Sequence, residues 1–273
     1  MRPKSAFKSI VYIFILTMLG SSCIFDSDED KNKRNNSRPE FDNGSILFIG
    51  SSYLSYGGNN VVEMFDSMAS RGGHSVYTDS RVINGKRLQS HLEDPATIQK
   101  IQEEKWDFVI LQGAGFYISK EKWHEYIVPV LRDFKKIIKK NSKRTCMVYM
   151  MPWAYKDGLA WMEGEEDTYQ QMHDGILNNT IKVMHDLDIC TAPAGKAWHA
   201  AILDGYSSDF YLSDNSHQSK HGAYLTACVF YSTVFLEKAP QLDLNWDYND
   251  NIGILNETAY TTVVDSLDAW NIY

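Results

Sequence analysis

Two periods of apolar spacing alternate along this chain. Ile46–Ile49 is an unbroken apolar run, which predicts a strand covered on both faces, and a helical spacing follows over Val61–Arg71. Ser75–Ile83 predicts a second strand, with short helical pieces from Leu88 to Glu104. Phe108–Gln112 is another continuous apolar run and a third strand, followed by a long amphipathic helix from Trp123 to about Lys140. Thr145–Met150 predicts a fourth strand, stopped by Pro152, and a helix covers Thr168–Leu187. Asp188–Ala192 predicts the fifth strand, with helices then at Lys196–Leu203 and Gly222–Leu236. Strands alternating with helices in this way predict an α/β fold, a three-layer α/β/α sandwich on a five-stranded parallel sheet.

That order gives meaning to the polar residues at the strand ends. Ser52 follows the first strand, Gly85 the second, and Gln112 ends the third, while Asp214 and His217 come after the fifth. In an open parallel sheet these positions converge on the carboxyl edge, where such folds bind ligands. An Asp three residues before a His can hold one ring nitrogen and leave the other free to take a proton from a nucleophile. Ser52, Asp214 and His217 therefore supply nucleophile, orienting carboxylate and base, in that chain order.

Before the first strand the pattern changes. Arg2, Lys4 and Lys8 precede an apolar stretch, Ile10–Leu19, too short for a comfortable membrane span; Gly20-Ser21-Ser22 then leads to Cys23. Residues 1–22 resemble a bacterial lipoprotein signal, which implies that Cys23 is lipidated and becomes the N-terminus. Leu19 stands one place farther from Cys23 than the common pattern has it, and an ordinary secretory signal is the alternative. Residues 23–44 are charged and poor in apolar side chains, so they read as a flexible tether, leaving 45–273 as the domain. The acidic patch after Cys23 resembles the surface-export signal of some outer-membrane lipoproteins; a solvated linker is the other reading. The expected location is the bacterial cell envelope, lipid-anchored in the outer membrane, facing the periplasm or the surface.

The net charge is −8, and loss of a signal carrying three basic residues and no acid makes it more negative, which argues against a nucleic-acid partner. Cys146, Cys190 and Cys228 have no CxxC spacing and read as buried small hydrophobes rather than a disulfide framework or a zinc site. His217 and His221 have metal-like spacing but no third ligand near, so no metal is expected. Trp153, Tyr155 and Trp161 lie after the fourth strand, above the same sheet edge, where they can stack on a sugar ring or anchor the loop. Glu163, Glu165, Glu166 and Asp167 read as a solvated helix start. No run of exposed apolar residues suits a fatty chain, so short acyl esters are the expected substrates.

Gly50-Ser51-Ser52-Tyr53, the glycine after the second strand, and Asp214-x-x-His217 resemble the GDSL/SGNH hydrolase superfamily over most of the domain. Asn84-Gly85-x-x-Leu88-x-x-His91, Trp106–Gln112, Ala192-Pro193-x-Gly195-x-Ala197-Trp198 and Gly222–Leu225 look like one lipoprotein-rich branch of it. The chain lacks the Gly-x-Ser-x-Gly elbow of ordinary α/β-hydrolases. The resemblance implies a flavodoxin-like sheet and serine esterase chemistry with no cofactor, acting on an ester such as acetylated carbohydrate. It also implies an oxyanion hole built from the Ser52 N–H, the Gly85 N–H and an asparagine amide after the third strand. Gln112 stands in that asparagine's place, as is usual in this branch, and Ser51 replaces an Asp or Asn that braces the nucleophile turn. These two departures leave open a second reading, a non-catalytic glycan-binding lipoprotein on a degenerate SGNH fold.

Overall fold

The computed structural model describes residues 43–160, 168–206, 210–246 and 252–272. The signal, most of the tether, Cys23, Trp161 and the acidic cluster lie outside the described residues.

The main sheet has five parallel strands: β1 (Asn43–Gly50), β4 (Ser75–Val82), β5 (Phe108–Gln112), β6 (Cys146–Met150) and β7 (Cys190–Ala192), in the spatial order β4-β1-β5-β6-β7. Between β1 and β4 a small hairpin, β2 (Ser55–Tyr56) with β3 (Asn59–Asn60), turns on Gly57 and Gly58, both at positive φ. The helices are α1 (Val61–Arg71), α2 (Leu88–Leu92), α3 (Pro95–Glu103), α4 (Phe116–Ser119), α5 (Glu121–Asn141), α6 (Tyr169–Leu187), α7 (Ala194–Ala201), α8 (Lys220–Phe235) and α9 (Ile252–Val264).

Burial explains the pattern. Ile46, Leu47, Phe48 and Ile49 at the centre of the sheet have no exposed surface, whereas the edge strand β4 has only exposed and half-buried positions. α1, α7, α8 and α9 pack together on one face, and α2, α3, α4, α5 and α6 on the other. α8 is buried on all sides from Gly222 to Phe235, because α9 covers the flank that would otherwise meet water. Cys146, Cys190 and Cys228 are buried in this core; the Cys146 and Cys190 sulfurs lie 3.2 Å apart.

The chain runs outward from β1 to β4, then crosses back to β5 on the opposite side of β1. That reversal makes the crevice between β1 and β5 the switch point of the sheet, the place where open α/β folds bind ligands. Most predicted elements fall within a residue or two of those observed. The fifth strand begins at Cys190 rather than Asp188, because Asp188 adopts a left-handed conformation and caps α6. The first strand starts at Asn43, inside the segment read as tether.

Candidate active site

Ser52 sits in the turn that leaves β1, and three neighbours hold that turn. The Leu54 N–H donates to the Ser51 carbonyl at 2.9 Å, and the buried Gln218 side chain donates from Nε2 to the Ser52 carbonyl at 2.8 Å. Gln112, at the end of β5, accepts the Ser51 N–H on Oε1 at 2.7 Å and the Ser51 hydroxyl at 3.3 Å. The turn is therefore braced from Gln112, although Ser51 carries no carboxylate or amide of its own. Gly50 is required for that approach: a Cβ there would lie 2.6 Å from Gln112 Oε1.

His91 supports the same turn from beneath. Its ring is fully buried, with Nε2 2.9 Å from the Gly50 carbonyl and Nδ1 3.1 Å from the Thr97 hydroxyl. Burial lowers its pKa, and a carbonyl only accepts, so Nε2 carries hydrogen and donates to the Gly50 carbonyl, while the Thr97 hydroxyl beside Nδ1 also reaches Asp94 Oδ2 at 3.2 Å.

Asp214 and His217 arrive from the loop before α8. Asn215 adopts positive φ at its tip, and the Leu212 N–H donates to the His217 carbonyl at 2.9 Å, closing a tight turn. Asp214 Oδ1 accepts the Ser216 and His217 N–H groups at 3.0 and 2.9 Å, and Oδ2 lies 2.6 Å from His217 Nδ1. Burial works to raise the Asp214 carboxyl, but these donors outweigh it and hold its pKa at about 2. A carboxylate only accepts, so Nδ1 carries the ring hydrogen and Nε2 is the acceptor. Nε2 faces Ser52 Oγ at 2.9 Å, and the Ser52 hydroxyl donates to it. The three predicted residues thus meet in one hydrogen-bonded chain.

Around the imidazole, Tyr56 of the hairpin stacks at 3.9 Å and 18°, and Tyr53 meets it edge-on at 5.6 Å. Tyr56, His91 and Gln218 are contributors that sequence reasoning did not assign. The Ser-Tyr-Gly-Gly-Asn-Asn stretch is a hairpin signal that points to Tyr56, and His91 stood in a quoted motif without a role. Gln218 carries no signal beyond following His217.

A cavity of ≈ 750 Å³ opens beside Ser52, lined also by Gly85, Gly113, Tyr155 and His217. Gly85 takes a φ of 74°, which turns the chain at the end of β4 toward this cavity. Gln112 sits behind the cavity-lining Ser51 and Gly113, is fully buried and does not itself line the cavity, and its Nε2 is an unpaired donor among the described residues. Tyr155 lines the cavity, and burial pushes its phenol up to about 12, so it presents a neutral hydroxyl.

Trp153 does not face the cavity, which corrects its reading as a sugar-stacking residue. It is fully buried, stacks on Trp198 at 4.1 Å, and donates from Nε1 to the Ser216 carbonyl at 3.0 Å. An indole with both faces covered has none left for a ligand; it anchors the loop that carries His217. His221 packs against Trp246, and among the described residues no three His, Cys, Asp or Glu side chains stand together to hold a metal ion.

No family model matches the chain, and no curated protein matches its sequence. Solved structures do match. A DUF4886 family protein from Bacteroides uniformis has a TM-score of 0.68 at 17% identity, covering 83% of this chain and 95% of that one. A candidate SGNH hydrolase from Slackia heliotrinireducens has a TM-score of 0.56 at 21% identity over 69% and 97%. The acetylxylan esterase Axe2 from Geobacillus stearothermophilus has a TM-score of 0.54 at 14% identity over 73% and 97%. At these identities the likeness is one of fold: the chain has the GDSL/SGNH hydrolase fold.

Proposed function

We propose that this chain is an SGNH-type serine esterase that removes acyl groups from carbohydrate in the bacterial cell envelope, held there by lipid on Cys23. One observation carries the enzymatic part: Ser52, His217 and Asp214 stand in hydrogen-bond contact at 2.9 and 2.6 Å at the switch point of the sheet. The carbohydrate part is supported by likeness in fold to an acetylxylan esterase, and the envelope part by the sequence before residue 43.

In this mechanism His217 Nε2 takes the Ser52 hydroxyl proton as Oγ bonds to the ester carbonyl carbon. The carbonyl π pair moves to oxygen, and the oxyanion accepts from the Ser52 and Gly85 N–H groups and from Gln112 Nε2. Collapse breaks the bond to the alcohol oxygen, which leaves with the proton from His217. Water then repeats the sequence on the acyl-enzyme, releasing the acid and restoring Ser52. The non-catalytic reading loses one of its motives, since Gln112 supplies the brace that Ser51 lacks. Titration of acid released from acylated xylo-oligosaccharides tests the proposal: release by the native chain and none by Ser52→Ala is expected. Equal release by both would contradict it.

Gln112 allows a finer test. An unpaired buried donor costs about 1–3 kcal/mol, and an arriving oxyanion relieves that cost only in the transition state. Gln112→Ala should lower kcat about 10²-fold with KM nearly unchanged. Losing the Ser51 acceptor should also reduce stability, so kcat is expressed per titratable serine. An unchanged kcat on that basis would remove Gln112 from the oxyanion hole.

A further inference from the structure

The cavity beside Ser52 has two unlike ends. His217 and Ser216 line one end and enter with the loop before α8, from one face of the sheet. The opposite wall comes from elements on the other face: Leu88 of α2, Phe116 and Tyr117 of α4, and Ile127 and Val130 of α5. Leu88, Ile127 and Val130 are buried; Phe116 and Tyr117 are half-buried and pack ring to ring at 4.0 Å. The Arg87 guanidinium lies over the Tyr117 ring at 5.1 Å and fixes that part of the wall.

The chemistry orients an ester between these ends. The nitrogen that takes the serine proton must return it to the alcohol oxygen, so the alcohol lies on the His217 side. The oxyanion lies against Gly85 and Gln112. The remaining substituent on the carbonyl carbon, the acyl group, points toward α2, α4 and α5. A cavity of ≈ 750 Å³ is the size of one that holds a drug-sized ligand, and an acetyl group would leave most of its apolar wall wet.

We propose that the wall formed by Leu88, Phe116, Tyr117, Ile127 and Val130 is an acyl pocket that selects an apolar acyl group of hexanoyl size over acetyl. This deepens the esterase proposal and rests on it. It also reverses the expectation of short acyl esters: the apolar residues form no run in sequence, and the fold gathers them from three separate helices.

The test compares p-nitrophenyl hexanoate with p-nitrophenyl acetate on the purified protein, alongside labelling of Ser52 by a small fluorophosphonate. Each buried methylene is worth roughly fourfold and hexanoate has four more than acetate, so kcat/KM for hexanoate should exceed that for acetate by up to about 250-fold, and by at least about tenfold if only two of the four are buried. Phe116→Ala should lower that ratio several-fold, and Val130→Phe, which fills the pocket instead of opening it, should lower it too. The ratio compares two substrates on the same molecules, so it is unaffected by how much of a variant folds. Preference for acetate with Ser52 labelled, or a ratio that neither variant moves, would overturn the pocket and leave the esterase standing. An unlabelled Ser52 with neither ester hydrolysed would overturn both.

Discussion

Replacing His217 with alanine is expected to lower kcat by about 10⁵- to 10⁶-fold, the scale lost when one member of a serine–histidine unit is removed. Without the imidazole, Ser52 Oγ has no acceptor for its proton, and a neutral hydroxyl is a poor nucleophile. Ser52→Ala should cost about as much, and the double variant no more than either single one, because the two side chains perform one step together. The fold should tolerate the change, since the His217 side chain reaches the surface and its hydrogen-bond partners among the described residues are Ser52, Asp214 and Ser216. Steady-state kinetics on the three variants, with thermal unfolding measured beside them, checks this. A His217→Ala enzyme within a hundredfold of native would mean that another base serves Ser52.

Asp214→Asn carries the second large effect, expected at about 10³- to 10⁴-fold in kcat. The side-chain oxygen of Asn can still accept the Ser216 and His217 N–H groups that Asp214 Oδ1 accepts, so the loop should keep its shape. Its amide nitrogen would then face His217 Nδ1 as a donor. The ring must answer with the tautomer that carries hydrogen on Nε2, and that nitrogen can no longer accept from Ser52. The lowered pKa of Asp214, about 2, keeps the native carboxylate ionised at any pH where the enzyme would work, so this tautomer lock does not lapse in mild acid. A fall of less than tenfold in Asp214→Asn would show that the carboxylate does not set the tautomer.

The parts of this site that were legible in sequence are those that local patterning dictates. Ile46–Ile49 and Phe108–Gln112 are buried on both faces, so their apolar runs are continuous, and the residues that end them must lie at one sheet edge. The short Asp214–His217 spacing survives because the whole contact is made inside one turn. Tertiary contacts were not legible. Trp153 looks the same in sequence whether its ring points to solvent or, as here, between Tyr53 and Trp198. The acyl wall is scattered from Leu88 to Val130. α9 was not predicted, because its β-branched Thr261, Thr262, Val263 and Val264 carry no helical signal, and docking on α8 decides its conformation. Gln112 was placed at the right strand end, but its division of labour, oxygen to Ser51 and nitrogen unpaired, is a matter of ångströms.

The most direct measurement is covalent labelling of the purified protein with an alkyl fluorophosphonate, followed by intact mass and peptide mapping. Only a serine activated by a neighbouring base attacks such a phosphorus, displacing fluoride. One adduct on Ser52, lost in both Ser52→Ala and His217→Ala, is the predicted result. An adduct on another serine, or none on a folded native chain, would contradict the assignment of Ser52, His217 and Asp214 as a catalytic triad.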